Sequence, residues 1–71
     1  MTKRERKKER KERIAAAERE VQDLQIGIEC AYSVFNNTAD PELLEASILE
    51  LRALQSRYGC ALRNLKLLHA S

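Results

Sequence analysis

The sequence predicts an all-α protein, an antiparallel two-helix hairpin with coiled-coil-like packing, on three observations. Ile14, Ala17, Val21, Leu24, Ile28, Ala31 and Phe35 recur at alternating spacings of three and four. Residues 41–68 repeat apolar side chains every seven positions. Between them Asn36-Asn37-Thr38-Ala39-Asp40-Pro41 breaks both patterns. A three-four spacing keeps apolar side chains on one side of a helix, the seam that a second helix covers. A short break makes the two helices antiparallel neighbours.

The first helix is expected over about 10–36. Charged and amide side chains fill its other faces, and Arg19 and Asp23 stand four apart, where they can pair for a few tenths of a kcal/mol. Gly27 lies beside the seam, and a glycine inside a helix costs roughly 1 kcal/mol relative to alanine. Ile26, Cys30 and Val34 form a ridge off the seam. The turn is expected at about 36–40, with an asparagine supplying the left-handed residue that ends many helices. Asp40-Pro41 then reads as a helix start. The carboxylate accepts first-turn N–H groups, and proline suits the first helical position.

The second helix is expected over about 41–68 and is apolar in more columns than one neighbour can cover. Its seam is assigned to Leu44, Ile48, Leu51, Tyr58, Leu62 and Leu65. Centring the turn near Ala39 sets Phe35 beside Leu44, Ile28 beside Leu51, Val21 beside Tyr58 and Ile14 beside Leu65. The apolar surplus falls on Ala53, Leu54, Cys60, Ala61 and Leu68, joined by Ile26 and Val34 of the first helix; these seven form the expected interface with another molecule. Two helices alone offset chain entropy poorly, so the hairpin is expected to dimerise into a four-helix arrangement or to dock on another protein.

Charge divides the 71 residues unevenly, for residues 2–13 hold eight Lys/Arg and three Glu, while the rest holds five Lys/Arg and eight Asp/Glu. Residues 1–13 therefore read as a basic arm, frayed or a helical extension, and residues 14–71 as the hairpin. Lys3, Arg4, Arg6, Lys7, Lys8, Arg10, Lys11 and Arg13 are the candidate contacts for phosphates or other anions. Glu5 and Glu9 can pair with Lys8 and Arg13, which blunts the field, and no aromatic side chain interleaves the arm to stack on bases. Nucleic-acid binding is accordingly expected to be weak.

The chain is too short for a Rossmann fold or a barrel enzyme. It shows no glycine-rich phosphate loop, no nucleophile elbow and no metalloprotease motif. A catalytic cysteine needs a histidine partner to hold its thiolate, and the one histidine, His69, stands two residues from the end of the sequence. The expectation is no catalytic residue, no cofactor and no metal, with Cys30 and Cys60 as reduced thiols packed on helix faces. No apolar run approaches a membrane span or a signal-peptide core, so the expected compartment is the cytoplasm.

Phe35-Asn36-Asn37, Asp40-Pro41-Glu42-Leu43, Leu51-Arg52-Ala53-Leu54, Arg57-Tyr58, Leu62 and Lys66 together resemble the YaaL-like domain-of-unknown-function family of Gram-positive bacteria. The likeness covers Val34 to Lys66; Gly59-Cys60 departs from the bulkier residues of that family, and the basic arm lies outside the match. It implies a small cytoplasmic two-helix protein and carries over no catalytic residue. A non-enzymatic protein-interaction module is thus the leading reading. The alternative is a nucleic-acid-associated accessory protein that holds phosphates with its arm.

Overall fold

The computed structural model describes residues 2–70; the ends of the expected arm and hairpin at Met1 and Ser71 lie outside them. Two helices make up the fold, α1 over Lys3–Asn37 and α2 over Pro41–Ala70, and they pack side by side as an antiparallel hairpin. No strand occurs among the described residues.

Helix α1 starts seven positions before the expected boundary, and its first turn shows why. Thr2, in extended conformation, accepts a hydrogen bond from the Glu5 N–H through Oγ1 at 3.2 Å, and its carbonyl accepts from Arg6 N–H at 3.1 Å. This is the start of a Thr-x-x-Glu capping arrangement. Lys, Arg and Glu, which follow it, are all strong helix formers.

The helix ends differently from expectation. Thr38 is extended (φ −114°, ψ 143°), and no described residue takes a positive φ. Asn37 acts through its side chain instead, donating Nδ2–H to the Ser33 carbonyl at 2.7 Å. The non-helical link is only Thr38-Ala39-Asp40, shorter than the expected 36–40. Asp40 caps α2 as anticipated: Oδ1 accepts from Glu42 N–H at 3.0 Å and its carbonyl from Leu44 N–H at 2.9 Å.

Every member of the three-four repeat of α1 is buried or half-buried, from Ile14 to Phe35. On α2 the residues facing it are Leu44, Ser47, Leu51, Leu54, Tyr58, Ala61, Leu65 and Leu68, again at alternating spacings of three and four. This corrects the seam expected for α2. Ile48 is exposed, whereas Ala61 is only 4% exposed. The reason is polar cost. A seam through Ile48 and Leu62 would also carry Gln55 and His69, with an amide and an imidazole to satisfy. The chosen column carries only two hydroxyls: Tyr58 is half-buried, and the buried Ser47 donates to the Leu43 carbonyl of its own helix at 2.8 Å.

Small residues account for most of the buried positions: Ala17, Ala31, Ser47 and Ala61, with Leu51 the one large side chain among them at 8% exposure. Arg10 meets Leu68 and His69, and the Cα of Gly27 faces Leu54, which fixes the register between the helices. That register brings Ala17 near the level of Ala61 and Ala31 near that of Ser47, with Leu54 over Gly27 between them. Small layers alternate with large ones, so the helices close tightly between bulky side chains. The molecule remains one seam thick. Its extents are 57 × 15 × 14 Å and its radius of gyration is 16.8 Å. A globule of equal length would have a radius of about 11 Å.

Candidate interaction surfaces

The first surface is the basic stretch of α1. One helical turn takes 3.6 residues, so the seam columns of α1 continue upstream from Ile14 and Ala17 to Arg10, Lys7 and Lys3. Arg4 and Lys11 flank them on one side, Arg6 and Arg13 on the other. Glu5, Glu9 and Glu12 fall on the back, with Lys8 the one cation among them. The arm is therefore a helix with a cationic face in line with the apolar seam below it. Lys3, Arg4, Arg6, Lys7 and Arg10 border one open hollow on that face.

Helix α2 ends at Ala70, level with the middle of the arm, so residues 3–7 of α1 project beyond the hairpin. Arg10 sits at the junction and donates Nη2–H to the carbonyls of Leu68 and His69, 3.4 Å from each. These carbonyls belong to the last turn of α2, the negative end of its dipole, where a guanidinium and His69 are both favourable. All eight candidate anion contacts, Lys3 through Arg13, are exposed.

The second surface is the side of α2 turned away from α1. Leu49 is 60% and Leu67 69% exposed, with Ala46, Ala53 and Cys60 exposed along the same side. Of the seven residues expected at an interface, Ala53 and Cys60 lie there. Ile26 and Val34, 50% and 44% exposed, lie on outer parts of α1. Leu54, Ala61 and Leu68 do not belong to the outer face. Ala61 is buried and the other two half-buried in the hairpin seam, and Leu54 lies over Gly27. What sequence reading missed are Leu49 and Leu67. Leu67 had a signal, the column Ala46, Ala53, Cys60 and Leu67 at spacing seven, whereas Leu49 shares its column with Ser56 and Arg63 and had none.

Both thiols are free and exposed rather than packed. Arg63 donates Nη2–H to the Cys60 Sγ at 3.2 Å, drawing its guanidinium back along the helix. Among the described residues no three His, Cys, Asp or Glu side chains gather to hold a metal ion. No helix among them is long and apolar enough to cross a membrane.

Together these features define a class: a thin helical hairpin with one cationic overhang and one uncovered apolar helix face. Comparison with known proteins finds no matching family model, no matching curated protein and no matching solved structure.

Proposed function

We propose that this protein is a non-enzymatic helical interaction module that works in the cytoplasm and associates with itself, two hairpins making a four-helix assembly. One observation carries the reading: large apolar side chains, Leu49 and Leu67, stand mostly in water on the far side of α2. Wet apolar surface costs about 25 cal/mol per Å², and a hairpin with one thin seam has little stability to set against that cost. The likeness of residues 34–66 to YaaL-like proteins belongs to the same proposal. Sedimentation equilibrium at micromolar concentration tests it. The expected mass is twice the 8.2 kDa of the single chain. A stable compact monomer would refute self-association.

A second reading is favoured by a separate observation, the gathering of seven cations on the seam side of the arm with the glutamates behind. Such a face suits nucleic-acid phosphates held without regard to sequence. It is an additional activity of the same module rather than a rival fold-level assignment.

A further inference from the structure

The far face of α2 carries a second three-four repeat, and its flanking charges specify what covers it. Leu49, Ala53, Ser56, Cys60, Arg63 and Leu67 follow one another at spacings of four and three, and all are exposed. At 3.6 residues per turn this stripe lies about 160° around α2 from the seam with α1. Helix α1 has no equivalent, since Arg19, Asp23 and Glu12 interrupt its outer columns. Arg63 is the one charged member of the stripe, and its guanidinium folds back along it to the Cys60 Sγ.

The positions bordering the stripe are Glu45, Arg52 and Lys66 on one side and Glu50 and Arg57 on the other. Glu45 and Glu50 precede Arg52, Arg57 and Lys66 along α2. The side chains of Glu45, Glu50, Arg52, Arg57 and Lys66 make no ion pair or hydrogen bond among the described residues. Parallel pairing of two such stripes would set Glu45 against the partner's Glu50 and Arg52 against the partner's Arg57, like against like. Antiparallel pairing reverses this, and one register gives Glu45, Glu50, Arg57 and Lys66 each an opposite charge, with Arg52 across from the partner's Gly59. With Leu49 level with the partner's Cys60 and Ala53 with the partner's Ser56, Glu50 meets the partner's Arg57 and Glu45 meets the partner's Lys66. Two-fold symmetry repeats both pairs.

Sliding by one heptad in either direction destroys the match. One slide sets Arg57 against the partner's Arg57 and Arg52 against the partner's Lys66. The other sets Glu50 against the partner's Glu50 and Arg52 against the partner's Arg52. Like charges so placed reject the wrong register.

We infer that the occupant of this face is a second copy of the chain, its α2 antiparallel to the first in the register that joins Glu50 to Arg57. This inference rests on the self-association proposed above and specifies its geometry. Because the two seams of α2 are nearly opposite, the assembly is a flat layer in the order α1, α2, α2, α1, not a bundle around a common core.

Charge exchange, read by sedimentation equilibrium, tests it. Glu50 and Arg57 are exposed and outside the hairpin seam, so E50R and R57E should keep the helical circular dichroism of the parent. Each alone places like charges together twice per dimer and is expected to raise the dimer dissociation constant roughly ten-fold or more, most strongly at low salt. The double variant E50R/R57E, or a mixture of the two single variants, should recover the parental value. A second measurement reads the register directly. In a Cys30→Ser background, L49C should oxidise to a disulfide with Cys60 of the partner, while the parent with Cys60 alone should not cross-link. Within one helix these positions are about 16 Å apart, so the bond is intermolecular. A dimer indifferent to E50R, or a double variant that stays dissociated, would overturn this geometry while leaving self-association standing. A parent that never dimerises would overturn both.

Discussion

At Gly27 the structure leaves room for a methyl group. A Cβ there would lie 3.5 and 3.7 Å from the two Leu54 methyls, ordinary contact distances. Gly27 therefore contributes no necessary close approach, and its backbone freedom in the unfolded chain is simply a cost. Gly27→Ala should stabilise the hairpin by roughly 0.5–1 kcal/mol, seen as a melting temperature several degrees higher at fixed protein concentration. A lower one would mean that the helices approach more closely than this geometry allows. Ala61 and Leu54 behave oppositely. Both lie in the hairpin seam, so Leu54→Asp or Ala61→Asp leaves a carboxylate without a partner where α1 and α2 meet. The expected outcome is loss of the helical circular dichroism signal at 25 °C. Retained helix with loss of self-association alone would instead return these residues to an outer face.

At the scale of the element, the sequence was most legible where pattern and chemistry agreed. The repeat from Ile14 to Phe35 and the Asp40-Pro41 start both stand in the structure as read. The seam of α2 was not legible from apolarity alone, because four of its seven columns are largely apolar and hydropathy cannot choose among them. The choice turns on a local hydrogen bond, Ser47 to the Leu43 carbonyl, which makes a serine acceptable in the seam where Gln55 and His69 are not. The early start of α1 was written in Thr2-x-x-Glu5, a signal easily overlooked inside a charge run. The exposed Leu49 and Leu67 became visible only once the seam column was settled, since each column of α2 is defined by what the others do. The basic arm carries the complementary lesson. Its charges look evenly mixed along the chain, and only the helical repeat sorts seven cations onto one face.

For the whole molecule, the proposed pairing and the proposed phosphate binding lead to one joint expectation. In the antiparallel pair the two-fold axis passes between residues 54 and 55 of α2, and Lys7 lies just past the level of Ala70. At 1.5 Å per residue the two arms are then about 50 Å apart, at opposite ends of the layer. Duplex DNA covers that span in roughly 15 base pairs. A duplex of 30 base pairs can therefore engage both arms at once, whereas one of 10 can engage only one. The second contact is intramolecular and raises affinity without any new chemistry. Each arm, with Arg10 partly committed to the end of α2, is expected to neutralise about 4 phosphates, giving a log–log salt slope near −4 for the short duplex and a steeper one for the long. Fluorescence anisotropy with both lengths measures this. E50R should reduce binding of the long duplex to the level of the short one. Replacing Arg4, Arg6, Lys7 and Lys11 with Gln removes four of the seven cations of the face and should weaken binding to either length while flattening the salt slope, and leave the dimer intact, because all four side chains lie outside both seams of α2. Equal affinity for the two lengths in the parent would show that the arms do not act as a pair.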